Sequence, residues 1–409
     1  MKKRVLFTLY DMEIGGIERS LVNMLEHFDY DRFDVDLLVF RHTGELLPLV
    51  TDRVRLLPEE RGLAAYRKSI AECVRDGQLA SALVRLACKY GARLKGLRRR
   101  VNRADAGAGY IQMQLVSKYM ARLQPKRRER YDAAISFSWP HDYTARNVHA
   151  NVKIAWIHTD YSVLDADREM DLKMWRAFDF LASVSPACTR AFLSRYPELD
   201  GRVVEIENIQ SPAFVRAMAG DGGLPPEMAD DPEEGGEKPF RIVSVGRLSY
   251  AKGFDLAARA LRILHDRGLT HIRWYIVGFG GQEAELGALI RELGLADRFK
   301  LLGKKANPYP YMNAADLYVQ PSRYEGKAVV VTEAQILGKP VLVADYPTAS
   351  SQVTDGVDGY ICPGGELGIA DAIERLVRNP EALGRVAEGA RRRDYGNADE
   401  LKKLYHMIS

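Results

Sequence analysis

Residues 323–350 read RYEGKAVVVTEAQILGKPVLVADYPTAS, and two carboxylates, Glu325 and Glu333, stand eight positions apart in them. Glu325 falls in a Gly-containing turn after the apolar run Leu317-Tyr318-Val319. Glu333 lies inside an alternation of small and apolar residues that predicts a helix ending at Leu337-Gly338, where Gly338-Lys339-Pro340 stops it. Val341-Leu342-Val343-Ala344 follows as a buried strand, so the unit is strand, loop, helix, strand. In such α/β units ligands gather at the carboxyl ends of strands and at helix N-termini, where free N–H groups and the dipole favour anions. A carboxylate in that loop is placed to touch a ligand, and one a turn or two down the helix reaches another part of it. Taken alone, two glutamates are ordinary solvated charges; their surroundings argue otherwise.

Upstream, the same scheme repeats. Arg241–Gly246 is a strand that delivers Arg247, then Lys252-Gly253-Phe254 at a helix start, so two cations and a helix N-terminus converge on one point. Arg forks onto phosphate oxygens and Lys adds a point charge, a set suited to a diphosphate. Ile272–Gly278, Phe279-Gly280-Gly281 and Phe299–Gly303 continue the alternation, with Lys304 and the turn Asn307-Pro308-Tyr309-Pro310 after it. Short strands and helices from residue 360 onward finish the chain.

Residues 219–239 carry four Pro, five Gly and a run of acids. Such a stretch cannot bury a core and predicts a linker. The half before it opens with the strand Val5–Tyr10 and the loop Asp11–Glu18, where Gly15 and Gly16 let backbone approach a ligand at a helix start. Strands are expected at 35–40, 54–57, 131–139, 152–158, 180–185 and 203–208. His158 ends the run VKIAWIH, at the carboxyl end of its strand.

Glu325, seven intervening residues and Glu333, preceded by Ala315-Asp316-Leu317 and Pro321-Ser322 and followed by Ala334 and Gly338-Lys339-Pro340, resemble the signature of retaining glycosyltransferase family four. The resemblance runs from Gly15-Gly16 through Arg247 and Lys252 to the last helix. It implies an α/β GT-B fold: two Rossmann-like domains whose parallel sheets face across a cleft, here with a helical insertion. The domains expected are 1–218 with the insertion at about 62–130, a linker at 219–239, a nucleotide-sugar domain at 240–385, and a helix at 386–409 crossing back to the first domain.

The resemblance also assigns roles. Arg247 and Lys252 would stabilise the departing diphosphate, an electrostatic task for preorganised donors. Glu333 would hold the ribose hydroxyls, Glu325 the transferred sugar, and His158 the donor sugar or acceptor. Gly15 and Gly16 would lie over the phosphates, and Gly303 with Lys304 would hold the base. The expected activity is retaining hexosyl transfer to a glycan or polyprenyl-linked acceptor, in polysaccharide biosynthesis. Lys327, where many family members have an aromatic and a second Gly, is similar to bacterial capsular and extracellular polysaccharide enzymes, which favours a UDP-hexose over GDP-mannose. No cofactor is expected beyond that donor, and no metal, because Asp230-Asp231 falls in the linker. A GT-B-like nucleotide-sugar epimerase or a phosphorylase would share the fold. A nucleic-acid-binding protein would leave the carboxylates and Arg247/Lys252 idle.

Composition bounds the setting. The chain has 409 residues, 46% hydrophobic and 28% charged, as a globular enzyme of two or three domains would. Cys73, Cys88, Cys188 and Cys362 are far apart, with no metal or redox spacing, so a reduced cytoplasmic setting with inert thiols is expected. No stretch approaches the roughly 18 apolar residues of a membrane span. Charge is distributed unevenly: residues 85–130 hold fourteen Lys or Arg against Asp105 and Glu129, a balance of +12 that leaves −8 for the rest of a chain whose total is +4. Leu79, Leu83, Leu86, Tyr90, Leu94, Leu97 and Val101 recur there at helical spacing. The segment is either a hairpin packed on its domain with a solvated basic face or an amphipathic element on an anionic membrane surface, which would make the protein peripheral at the inner face of the cell membrane. Its few aromatics, Tyr90, Tyr110 and Tyr119, argue against stacking on nucleic-acid bases.

Overall fold

A computed structural model describes residues 2–98, 107–162, 164, 166–220, 223–229, 238–325 and 327–409. The chain divides into two compact units, one of Met1–Ile209 with Asn397–Ser409 and one of Gln210–Gly396.

The first unit holds a parallel sheet of seven strands: β1 (Lys3–Leu9), β2 (Phe33–Val39), β3 (Arg55–Leu56), β4 (Arg130–Ser136), β5 (His149–Ile157), β6 (Phe180–Ser183) and β7 (Val203–Glu205). Their order is β3-β2-β1-β4-β5-β6-β7. Val5 to Leu9 are all buried, as in a strand covered by helices on both faces. The order reverses between β1 and β4, and the crevice outside their carboxyl ends is where such sheets take ligands. The chain's end completes this unit. Tyr405, on the helix Leu401–Ile408, stacks on Phe33 with ring centroids 5.1 Å apart, and Lys3 Nζ donates to the Ile408 carbonyl at 2.9 Å.

Between β3 and β4 lie the helices Arg61–Ala64, Ile70–Arg75, Leu79–Arg98 and Gly107–Leu123; residues 99–106 of the basic stretch, Val101 among them, lie outside the described residues. Ala82, Cys88 and Ala92 pack with Ile111, Leu115, Val116 and Met120, so the last two helices form a hairpin on their domain. The face turned inward is the small-residue one. Leu79, Leu83, Leu86, Tyr90 and Leu94 are instead between 40% and 67% exposed. Periodicity located the apolar stripe and left open what it faces.

The second unit holds six parallel strands: β8 (Phe240–Val245), β9 (Ile272–Val277), β10 (Phe299–Gly303), β11 (Leu317–Gln320), β12 (Val341–Ala344) and β13 (Tyr360–Cys362), in the order β10-β9-β8-β11-β12-β13. Alternate residues feed two cores. Ile242, Trp274, Leu317 and Leu342 join one, and Val243, Tyr275, Tyr318 and Val341 the other.

The division between units differs from the expected linker at 219–239. It falls between Ile209 and Gln210, because the helix Pro212–Ala219, capped by Ser211, buries Val215 and Ala219 in the second unit's core. Met228, within the Pro- and acid-rich stretch, is fully buried in that same core. One apolar residue anchored a segment whose composition read as unanchored. The expected helix 386–409 is likewise two elements: Pro380–Arg392 belongs to the second unit and Leu401–Ile408 to the first.

Candidate functional site

The order of the second sheet reverses between β8 and β11, neighbours 75 residues apart in register, Leu317 opposite Ile242. At their carboxyl ends the chain turns into two loops, 246–253 after β8 and 321–328 after β11. Gly253 lets them meet. It has φ +66°, and a Cβ there would run into the carbonyl oxygen of Pro321. Lys252, one residue earlier, is thereby brought to Glu325.

Lys252 Nζ donates to Glu325 Oε1 at 2.6 Å, with the two side chains 20% and 11% exposed. The same oxygen accepts from Ser322 Oγ at 2.6 Å and from Gln320 Nε2 at 3.2 Å. Gln320 is in turn fixed by Tyr318, whose hydroxyl donates to its Oε1 at 2.7 Å. Thr348 Oγ1 donates to the Glu325 carbonyl at 3.1 Å and holds the main chain. Three donors thus occupy one oxygen, while among the described residues Oε2 accepts no hydrogen bond. Gly326 lies outside the described residues.

Glu333 is fully buried on the helix Val329–Ile336, and Tyr309 donates its hydroxyl to Glu333 Oε1 at 2.8 Å. The two carboxylates therefore stand in unlike environments, one at a loop surface with a cationic partner and one inside the unit. Arg247 is exposed just beyond β8. Gly280 lets the loop after β9 lie on the backbone of Leu248, where any Cβ would collide. Gly278 N–H donates to the Gly303 carbonyl at 2.9 Å, and Lys304 Nζ sits 5.1 Å from the Phe279 ring centroid. Arg247, Lys252, Lys304 and Glu325 lie beyond the strand ends at the carboxyl edge of this sheet, and Gly303 is the last residue of β10.

In the first unit His158 directly follows β5. Its Nε2 lies 2.8 Å from the Phe137 carbonyl, which can only accept, so Nε2 carries the proton and Nδ1 keeps a lone pair. Burial pushes its pKa down to about 4, against the opposing pull of that carbonyl, so the ring is neutral at pH 7. His141, which sequence reading passed over, is its neighbour. It is buried, its Nδ1 is 2.8 Å from Ser136 Oγ, and burial, aided by His158, lowers its pKa to about 3. Gly15 caps the helix Gly16–Glu26 with φ −160°, extended backbone open to any residue, and a Cβ on Gly16 would meet nothing within 4 Å. A Cβ on Gly15 would press on the Glu18 carboxylate, whereas internal packing does not explain Gly16.

The residues missed were the ones that hold others: Gln320, Ser322, Tyr309 and His141. Ser322 was visible in Pro321-Ser322, and Gln320 as a polar residue closing an apolar strand. All four cysteines are free and buried, with burial raising the Cys362 thiol to about 12, as inert thiols require. Among the described residues no group of three or more His, Cys, Asp or Glu is placed to hold a metal, and no helix is long and apolar enough to cross a membrane.

Residues 228–393 match the family described as glycosyl transferases group 1. The chain is 32% identical over 152 residues to the alpha-D-kanosaminyltransferase of Streptomyces kanamyceticus, covering 36% of this chain and 39% of that protein. It is 33% identical over 153 residues to the amylovoran biosynthesis glycosyltransferase AmsK of Erwinia amylovora, covering 36% and 37%. The matches thus span about two fifths of those relatives' own length. Among solved structures, a mutant of S. aureus TarM in complex with fondaparinux, alpha-GlcNAc-glycerol and UDP superposes with a TM-score of 0.67 at 13% identity, covering 100% of each chain. At that identity the likeness shows the fold, and the fold is GT-B, as the resemblance implied.

Proposed function

From the premise that residues 228–393 form a group 1 glycosyl transferase domain, we propose that this protein moves a hexose from a UDP-hexose to a glycan or polyprenyl-linked acceptor, with retention at the anomeric carbon, in polysaccharide biosynthesis. One observation carries the reading: Lys252 and Glu325, 73 residues apart in sequence, meet at 2.6 Å at the reversal of the second sheet, braced by Ser322 and Gln320. A UDP-bound structural neighbour and a polysaccharide-building relative support the donor and the pathway class.

The roles follow from the environments. Arg247 is exposed and ready to fork onto the diphosphate, and Lys252 joins it by exchanging its carboxylate partner for a phosphate oxygen. Glu325 then offers Oε2 to the sugar hydroxyls while Ser322 and Gln320 keep Oε1 in place. Glu333 reaches the ribose from the interior, fixed by Tyr309. Gly303 and Lys304 hold the base, and Gly15 and Gly16 leave the helix N-terminus open to the donor. His158, neutral and with Nδ1 as an acceptor, accepts a hydrogen bond from a hydroxyl of the sugar or acceptor. By the resemblance to retaining glycosyltransferase family four, front-side attack, in which the leaving phosphate takes the acceptor proton, is the route adopted. The basic stretch 85–130 draws the protein to anionic lipid at the inner face of the membrane, where a polyprenyl-linked acceptor resides.

A panel of nucleotide sugars, each assayed for nucleotide release with and without acceptor and in excess chelator, tests this. Release from a UDP-hexose only when acceptor is present, undiminished by chelator, is the expected result. Release without acceptor would favour hydrolysis, epimerase or phosphorylase chemistry, and loss restored by Mg²⁺ or Mn²⁺ would return the diphosphate to a metal.

A further inference from the structure

The helix Leu79–Arg98 turns its small residues inward and its large ones out. Ala82, Cys88 and Ala92 are buried, whereas Leu79, Leu83, Leu86, Tyr90 and Leu94 are 59%, 67%, 40%, 56% and 61% exposed. At about 100° per residue these five fall within an arc of roughly 80°, along about 22 Å of helix. A soluble surface tolerates scattered apolar side chains, but a continuous ridge of four leucines and a tyrosine is an interaction face.

Charge selects the occupant. Neither this helix nor its partner Gly107–Leu123 contains a single Asp or Glu. Lys89 and Arg93 are exposed beside the ridge, and Arg93 lies 6.0 Å from the ring centroid of Tyr90. On the partner helix Lys118 and Arg122 flank the exposed Tyr119 at 5.7 and 5.1 Å. A second copy seated on this face would bring cation against cation with no carboxylate between them. Anionic phospholipid meets both demands, taking the leucines among its acyl chains and the cations at its headgroups, with the tyrosines at the boundary.

We propose that the exposed ridge of Leu79–Arg98 inserts into the interfacial layer of an anionic membrane, so that attachment is hydrophobic as well as electrostatic. This deepens the membrane contact of the proposed function by naming the face that enters the lipid and by adding a component that salt does not screen.

The full chain is tested on vesicles of phosphatidylglycerol mixed with phosphatidylcholine, at low and at high salt. The intact protein should keep part of its binding at high salt, and a Tyr90→Trp protein should shift its emission to the blue on those vesicles. Replacing Leu83, Leu86 and Leu94 by Gln keeps helix propensity and leaves the buried Ala82, Cys88 and Ala92 unchanged. It should abolish the salt-resistant part, with a loss on the order of tenfold per residue removed, while low-salt capture persists. Replacing Lys89 and Arg93 by Gln should do the reverse. An unshifted tryptophan on vesicle-bound protein, or a triple variant that binds as intact protein does at high salt, overturns the proposal. So does a dimer in sedimentation velocity that the leucine substitutions dissolve, since the ridge would then belong to a second copy. Transfer to a water-soluble acceptor, measured on the same variants, separates this outcome from failure of the enzymatic reading, which would leave the vesicle results unchanged.

Discussion

Glu325 has one oxygen to offer, because Lys252, Ser322 and Gln320 already hold the other. Glu333 is bonded to Tyr309 inside the unit. Their unlike settings predict unlike failures when each is changed to Gln. Glu333→Gln removes a charge-assisted acceptor worth about 1.5–3 kcal/mol, so affinity for free UDP should fall roughly ten- to a hundredfold, with the hydrogen bond from Tyr309 retained by the amide oxygen. Glu325→Gln should leave UDP affinity within about threefold and lower turnover instead, since its partner is the sugar in motion. Calorimetry with UDP beside acceptor-dependent rates separates them, and equal weakening of UDP binding by both variants would end the division of labour. Both carboxylates were legible from their spacing and flanks. Their pairing was not, because the partners lie 73 and 24 positions away and no periodicity links them.

Among the elements, the turn Tyr250–Lys252 and the helix Phe254–Asp266 depend on the left-handed Gly253 between them. Gly253→Ala adds a Cβ where the Pro321 carbonyl stands and enforces a backbone conformation costing about 1–3 kcal/mol. Denaturant unfolding should register that loss. UDP binding should weaken too, because Lys252 is displaced from the place where it would meet the diphosphate. Unchanged stability and affinity would mean that the loops meet without this glycine. The Leu79–Arg98 helix teaches the converse lesson. Its stripe was plain in the sequence, but which face a helix buries depends on whether the small-residue side can approach its neighbour more closely than the leucines can, and here Ala82, Cys88 and Ala92 do.

The whole molecule carries an acid sensitivity in its first unit. His141 and His158 have folded pKa values lowered by burial to about 3 and about 4, below the ordinary value near 6.5. Above pH 6.5 both are neutral folded or unfolded and cost nothing. As pH falls from 6.5 toward 4 the unfolded chain takes up protons that the folded one refuses, so stability is lost through that window. Asp171, raised by burial to about 6, acts oppositely, since its charging cost is relieved as pH falls below 6. Burial also raises Asp142. The two imidazole shifts together exceed that of Asp171, and the net direction is loss on acidification. Calorimetry of the intact chain should show the melting of this unit falling between pH 6.5 and 4, and His141→Gln should flatten the slope; a profile as steep in the variant would assign the sensitivity elsewhere.

By itself the sequence determined two parallel-sheet units, their strands and the loops bearing Arg247, Lys252, Glu325 and His158, because buried strands, Gly turns and helix stops are written in contiguous residues. Tertiary structure alone decided the rest. Met228 draws a Pro-rich stretch into a core, the last helix returns to the first unit, and Lys252 meets Glu325. Each rests on contacts between residues tens to hundreds of positions apart, where packing and burial, and not local pattern, set the energy.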